Sequence, residues 1–256
     1  MANPISISAA IICFNEERNI ERCLNSLKGV VDEIVVVDSF SNDRTKEICL
    51  SHHVNFIEHP FEGHIQQKNY ALSQTSNRMV ISLDADEALT PELRESIINL
   101  KKDPKSAVYS MNRLTNYCGK WVRYCGWYPD NKVRLFDKII CQWGGVNPHD
   151  KVIVPEGVDV HFLNGDLLHY SYYTRDDHYR QIEYFSKIAS TELYNRGKNV
   201  SLILVIGKVV AQFFKSFFLK LGFLDGMTGW TISRLSAYAT YRKYSNLRKL
   251  NANEEI

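Results

Sequence analysis

The chain has 256 residues, 45% of them hydrophobic, enough for one large α/β domain with a smaller appendage around a buried core. Lys and Arg number 31 against 29 Asp and Glu, and this net charge of +2 is too small to point by itself to a nucleic-acid partner, so any electrostatic function is local. The six cysteines form no Cys-x-x-Cys pair, so neither a zinc site nor a disulfide framework is signalled and reduced thiols are expected.

The run from Ile5 to Phe14 has no basic segment before it, unlike a secretory leader, and its β-branched residues predict a first strand. Asn15 offers a cap, Ile20, Cys23, Leu24 and Leu27 recur at helical spacing, and Gly29 stands where a helix would end. Glu33-Ile-Val-Val-Val-Asp38 is apolar on both faces, as an inner parallel strand must be. A helix carrying Ile48 and Cys49 follows Asp43. A third strand fits Val54 to Glu58, a helix fits Gln66 to Leu72, and Met79 to Leu83 forms a fourth strand ending at Asp84. Thr90-Pro91 starts another helix, with Leu93, Ile97 and Leu100 on one face. Strands alternating with helices imply βαβ units and a mostly parallel sheet, whose ligand crevice lies beyond the strands' carboxyl ends. Asn15, Asp38 and Asp84 occupy those ends.

From Ala107 to about Tyr173 the pattern changes to short strands among Gly, Pro and aromatic clusters, including Tyr117, Trp121, Tyr124, Trp127, Tyr128 and Trp143. From Arg175 onward helical periodicity returns. The expected organisation is a donor half over 1–105, an acceptor half of the same domain over 106–174, and a helical C-terminal region over 175–256. Within the last, Lys208, Lys215 and Lys220 interrupt the apolar run from Val200 to Leu224, leaving no uninterrupted stretch of about 20 apolar residues for a spanning helix. The interspersed lysines and Phe213, Phe214, Phe217, Phe218 and Phe223 suit a helix lying on an anionic membrane surface, with core packing as the alternative.

Ser82-Leu-Asp84-Ala85-Asp86-Glu87 carries the sharpest chemical signal. Two carboxylates one residue apart share a face at extended spacing, and such a pair can hold Mg²⁺ or Mn²⁺, hard cations that bridge protein oxygens to a nucleotide diphosphate; a solvated loop or cap is the common alternative, which the position after a buried strand disfavours. Asp38 and Asp43 follow the second strand, where their oxygens can receive nucleobase and ribose donors; a turn with Asp43 as helix cap is the plainer reading. Lys68 is placed to face the donor's base or diphosphate, or solvent. Inversion at a sugar carbon needs a carboxylate that takes the acceptor hydroxyl's proton. Asp150 is the first candidate, with Glu87 and Asp130 in reserve, while His149 completes the metal site or holds a phosphate. Arg134 is read equally as a structural ion pair or a contact to substrate phosphate. His169 has a site role within reach, and half of the aromatic residues between Tyr117 and Tyr128 are expected to stack on sugar rings, the others to fill core.

Cys13-Phe14-Asn15-Glu16-Glu17, the segment from Val37 through Asp38-Ser39-Phe40-Ser41-Asn42-Asp43 to Thr45, and Asp84-Ala85-Asp86-Glu87 resemble family 2 glycosyltransferases. Arg134-Leu135-Phe136, His149-Asp150, His169-Tyr170 and Gly222-Phe-Leu-Asp225-Gly226 narrow the resemblance to the lipopolysaccharide core β-1,4-glucosyltransferase subgroup. Two departures stand out: Asp38-Ser39 where many members carry a doubled aspartate, and His149-Asp150 where the subgroup usually has His-Glu. The resemblance implies a GT-A fold and an inverting transfer, most simply of glucose from UDP-glucose to lipopolysaccharide inner core. It implies donor contacts at Asn15, Glu17, Asp38, Asp43, Lys68, Asp84 and Ala85, a cation at Asp86 and His149, and Asp150 as base. Expected partners are a nucleotide-sugar donor, a lipid-linked glycan acceptor and an anionic membrane surface, with the chain cytoplasmic and peripheral to the inner membrane. A polyprenyl-phosphate sugar synthase and a non-catalytic nucleotide-sugar binder are the alternatives.

Overall fold

The computed structural model describes residues 4–146 and 149–256, with the side chains of Val146 and His149 outside the described set. The chain divides into two compact units: Met1–Arg113 with Asp130–Tyr170, and Leu114–Pro129 with Ser171–Ile256.

The first unit opens as four βα repeats: β1 (Ile7–Cys13), α1 (Ile20–Leu27), β2 (Glu33–Asp38), α2 (Thr45–Ser51), β3 (Asn55–Glu58), α3 (His64–Ser73), β4 (Met79–Asp84), β5 (Glu87–Leu89) and α4 (Pro91–Lys102). There follow β6 (Val108–Tyr117), β7 (Lys120–Trp121), β8 (Asn131–Asp137), β9 (Gln142–Val146), β10 (His149–Ile153) and β11 (Val160–Tyr172), of which β7 and the ends of β6 and β11 belong to the second unit. The sheet order is β3-β2-β1-β4-β8-β6-β11-β5. Its first four strands are parallel, and β8 joins antiparallel to β4.

The apolar runs divide their side chains between two cores at the strand period of two. Ile7, Ala9 and Ile11 of β1, Val36 of β2, and Ile81 and Leu83 of β4 pack with Ile20, Cys23, Leu24 and Leu27 of α1 and with Leu93, Ile97 and Leu100 of α4. Ala10, Val35, Val37 and Val80 face the opposite side, against Ala71 and Leu72 of α3 and Trp143 and Val152 of the β9-β10 hairpin. Both faces are thus covered, as an inner parallel sheet requires. Leu24 and Leu27 are at most 2% exposed, so truncating either to Ala would cost about 2–5 kcal/mol. Thr90 caps α4 by accepting from Leu93 N–H, and Pro91 fills the first helical position. β11 crosses that first turn at Gly165 (φ +97°), where an added Cβ would lie 2.2 Å from Leu93 N.

Apart from β5, the strands and helices through Leu100 fall where periodicity predicts them. The GT-A expectation of an α/β sheet with C-terminal helices holds, its parallel part being β3-β2-β1-β4. The short strand β5 was not anticipated. It pairs antiparallel with β11 in the register His169↔Glu87, Leu168↔Ala88, Leu167↔Leu89.

The second unit is helical: α5 (Arg175–Asn195), α6 (Leu202–Phe214), a π-turn over Lys215–Leu219, a 3₁₀ turn over Gly222–Asp225, and α7 (Gly226–Asn251). Thr174 and Asp177 form a capping box on α5, and Ser201 caps α6. Ile232 and Leu235 of α7 pack with Ile182 of α5, and Leu247 packs with Val205 of α6. The turn before α7 depends on two glycines, because a Cβ on Gly229 would come within 1.8 Å of Gly222 O. Lys208 and Lys215 lie within the helical run without breaking it, and Leu202–Leu219 is long and apolar enough to cross a membrane by length and composition alone. Only 11% of that window is buried, so core packing does not account for it.

Candidate active site

The candidate residues of the first unit gather at the carboxyl edge of the parallel strands, in three adjoining sets. The first ties the loop after β1 to the loop after β2. Asn15, in the left-handed region (φ 54°), accepts from Asn42 N–H at 2.9 Å and donates its own N–H to Ser41 Oγ at 2.7 Å. Glu17 accepts from Arg44 N–H at 3.1 Å, and Asp43 accepts from Glu17 N–H at 3.0 Å. Asp43 also accepts from Thr45 N–H and Oγ1; burial alone would raise its carboxyl, but these donors hold it below the ordinary value. Asp38 is 1% exposed, accepting from Ser41 N–H at 2.7 Å and facing Cys13 Sγ at 3.3 Å. It therefore shapes the loop from beneath, while Asn15, Glu17 and Asp43 stand nearer its surface.

The second set is an ionic cluster around Asp84. Lys68 rides the buried face of α3 with Ala71 and Leu72, and its Nζ lies 3.0 Å from Asp84 Oδ1 and 2.8 Å from Asp150 Oδ2. Arg134, inward-facing on β8, reaches Asp84 at 3.3 Å and the wholly buried Glu87 at 2.7 Å. Glu87 also accepts from Asp84 N–H at 3.1 Å. Burial pushes the Asp84 carboxyl up, but the Lys68 ammonium and Arg134 guanidinium outweigh it and hold Asp84 well below the usual carboxylate range. Trp143 floors the cluster, its ring 4.2 Å from Lys68 Nζ and its Nε1–H donating to Ser82 Oγ at 3.0 Å. Asn69 fixes this strand to α3 by two 2.9 Å bonds with the Trp143 backbone. A cavity of about 530 Å³ opens here, lined by Lys68, Asp84, Arg113, Arg134, Trp143 and Asp150 among others.

The third set lies past the end of β4. Asp86 Oδ2 is 3.2 Å from His169 Nε2, brought there by the β5-β11 register. Burial lowers the His169 pKa, but the Asp86 carboxylate more than offsets this and raises it. The next residue, Tyr170, donates its N–H to Asp86 O at 2.9 Å and stacks under the Arg22 guanidinium at 3.7 Å. Glu16 registers the accumulated negative charge: burial first, then Asp86, Asp84 and Asp43 against the opposing hydrogen bond from Asn19, push its carboxyl up to about 7.

The Asp86–His169 spacing suits two ligands of one ion, since neighbouring ligands about 2.1 Å from an octahedral cation stand about 3.0 Å apart. Among the described residues no group of three His, Cys, Asp or Glu side chains forms, so remaining positions would fall to diphosphate oxygens and water. The side chain of His149, expected to share the ion, lies outside the described residues. Ala85 is 3% exposed and donates its N–H to Ile12 O at 3.2 Å, fixing the step between the two aspartates.

Sequence reasoning left Arg134 undivided between ion pair and substrate contact; the structure shows the ion pair. A buried arginine within a strand of apolar neighbours was the available signal, whereas nothing local announced the Asn69–Trp143 brace or the Arg22–Tyr170 stack. Of the aromatic residues proposed as a sugar platform, Tyr117 is 2% exposed and packs with Trp127, Tyr172 and His178 in the second unit.

The description "Glycosyl transferase family 2" matches residues 8–148. An uncharacterized glycosyltransferase of Rickettsia typhi is 30% identical, over 96% of this chain and 87% of the relative. A lipopolysaccharide core biosynthesis glycosyltransferase of Rhizobium meliloti, LpsC, is 27% identical over 100% of this chain and 99% of the relative. Among solved structures, S. aureus TarS aligns over 97% of this chain and 91% of its own at 15% identity, with a TM-score of 0.46. The family match takes in β1 through β9, including Asp38, Lys68, Asp84 and Asp86, and with the near-complete overlap with the Rickettsia protein it shows that this chain belongs to glycosyl transferase family 2.

Proposed function

We propose that the protein is an inverting, cation-dependent hexosyltransferase, moving glucose from UDP-glucose to a lipopolysaccharide inner-core acceptor. The observation that carries this reading is the convergence of Asp84, Lys68, Arg134 and Asp150 on one cavity, with Asp86 and His169 at the adjoining strand end. The LpsC relative, similar over its whole length, supports the acceptor class.

In this reading the 1–105 half holds the donor and the 106–174 half the acceptor. The loops carrying Asn15, Glu17, Asp38 and Asp43 hold the nucleoside, with Ala85 at the strand end. Asp86 and His169, with His149 as a further candidate, hold Mg²⁺ or Mn²⁺, which when bound neutralises charge on the departing nucleotide. Lys68 and Arg134 contribute positive charge beside Asp84, held there by their ion pairs. Asp150 accepts the acceptor hydroxyl's proton through Oδ1, because Oδ2 is engaged by Lys68. We further propose that the chain works at the cytoplasmic face of the inner membrane, peripherally attached through its C-terminal helices. Exposed Leu202, Ile203, Leu204, Ile206 and Leu219, with Lys208, Lys215 and Lys220 in the same stretch, support that attachment.

The test is purified chain with UDP-glucose, a divalent cation and deep-core lipopolysaccharide acceptor, together with mass analysis of lipopolysaccharide from a strain lacking the gene. Cation-dependent UDP release, a one-hexose gain on the acceptor and a matching loss in the strain are expected. Unchanged lipopolysaccharide mass, or a polyprenyl-phosphate hexose as the only product, overturns the acceptor assignment. Absence of turnover with every nucleotide sugar, despite donor binding, leaves the non-catalytic reading in its place.

A further inference from the structure

Two clefts of the helical unit share a wall. One, of about 290 Å³ at the junction of α5 and α7, is lined by Arg175, Tyr179, Thr231, Arg234, Leu235 and Tyr238. The other, of about 420 Å³ between α6 and α7, is lined by Val209, Val210, Phe213, Phe214, Ala237 and Tyr241, with Arg234 and Tyr238 common to both. The first has a cationic mouth, while the second is almost wholly apolar. Together they have the size of a small-molecule site, about 300–1,000 Å³.

The charge of the first cleft is uncompensated. Among the described residues neither Arg175 nor Arg234 has a carboxylate within ion-pair distance, although α5 carries several. Asp177 is taken by Arg180, Glu183 by Arg242 and Tyr238 Oη, and Glu192 by Arg196, while the exposed Asp176, next in sequence to Arg175, forms no ion pair with either arginine. Two guanidiniums lining one cleft repel unless an anion lies between them, and their planar donors suit the oxygens of a phosphate. A free anion leaves the adjoining apolar groove unexplained, and an apolar peptide leaves the arginines unexplained. A phosphate ester carrying a hydrocarbon chain satisfies both.

We propose that this composite cleft binds one anionic phospholipid molecule, its phosphate between Arg175 and Arg234 and an acyl chain along Val209, Val210, Phe213, Phe214 and Ala237. This rests on the peripheral membrane reading above and deepens it. The exposed side chains of α6 would enter the bilayer collectively, whereas this cleft would withdraw a single lipid and fix how α7 sits on the membrane. Tyr179 and Tyr238, with ring centroids 5.7 Å apart, stand beside the phosphate position where aromatic groups with polar tips belong.

The test is calorimetric titration of the full chain with dihexanoyl phosphatidic acid below its micelle concentration, against dihexanoylglycerol, which lacks the phosphate, and inorganic phosphate, which lacks the chains. Saturable one-to-one binding of the phosphatidic acid is expected, with each comparator weaker by about tenfold or more. The double variant R175Q/R234Q should lose about tenfold or more in affinity, and V210D, which sets a carboxylate in the groove, should do the same. All three positions are exposed, and thermal melts confirm that the variants fold. Unchanged affinity in the folded R175Q/R234Q variant, or inorganic phosphate binding as tightly as the lipid, overturns the proposal. Flotation on anionic vesicles separates the two readings. Wild type that floats without saturable lipid binding overturns the cleft and leaves the membrane surface, while saturable binding without flotation overturns the surface and leaves the cleft.

Discussion

Replacing Asp150 with Asn isolates the proton-accepting charge from the shape of the site. Asn keeps the side-chain volume and an oxygen for Lys68, whose Nζ retains Asp84 at 3.0 Å, so the donor side of the cavity should survive. What disappears, on the proposed assignment, is a general base, worth about 10²–10⁴-fold in rate, or about 3–5 kcal/mol of barrier. The assay is kcat with saturating donor and acceptor, alongside the dissociation constant of UDP measured separately. A fall in kcat of at least about a hundredfold with UDP affinity within about threefold of wild type is the expected result. A double cycle with Lys68→Met separates direct from indirect action, since an effect carried through the 2.8 Å Lys68–Asp150 pair would be strongly non-additive. If kcat falls only in proportion to donor affinity, the assignment is refuted. Asp130 then becomes the better candidate, because Glu87 is wholly buried under Arg134 whereas the Asp130 side chain is 30% exposed between Arg113 and Lys132.

Asp86→Ala should nearly abolish cation-dependent transfer while leaving the melting transition little changed, because its side chain lies past the strand and is 22% exposed; wild-type turnover at saturating cation would refute its role. Changing Lys208, Lys215 and Lys220 together to Gln should weaken binding to anionic vesicles at low salt by roughly 1 kcal/mol per lysine, read by flotation, and spare catalysis on a soluble acceptor. Undiminished flotation would count against the interfacial role. Burial depresses His178 from 6.5 to about 4, so the unfolded chain binds the extra proton first and stability is lost as pH falls from about 6.5 toward 4. His178→Phe should remove on the order of 3 kcal/mol of that acid-side loss, measured by urea melts across the interval; an unchanged slope would show that another group titrates there.

Much of the parallel sheet was legible because its signals are local. Val35, Val36 and Val37 announce a strand buried on both faces, Thr90-Pro91 announces a helix start, and Met79 to Leu83 announces the strand that ends at Asp84. The ionic cluster was less legible because its partners come from distant segments: Lys68 and Asp150 are 82 positions apart, and Arg134 and Asp84 are 50 apart. No local pattern registers such pairs. Strand β5 has three residues, too few to display a period, yet its register with β11 is what brings His169 to Asp86. The lysines of the 202–219 stretch are a case of their own. They interrupt an apolar run in sequence without interrupting the helix, since a lysine has good helix propensity and a long stem that can carry its charge aside.

The antiparallel seam between β4 and β8 bears on how the chain is made. Met79, Val80 and Ile81 pair with Asp137, Phe136 and Leu135, so during synthesis the outer side of β4 waits 47 residues, from Asp84 to Asn131, for the first residue of its partner strand. At roughly 5–20 residues per second that wait lasts roughly 2 to 10 s. Throughout it, the nascent chain presents an apolar, unpaired strand edge, the kind of template on which chains aggregate. A fragment ending at Pro129 is therefore expected to be insoluble where one ending at Tyr172 is not, and sedimentation of the two translated fragments would show whether it is. Protection of that edge and assembly of the Lys68–Asp150 pair both wait on the same later stretch of polypeptide, so completion of the candidate site and escape from aggregation should arrive close together.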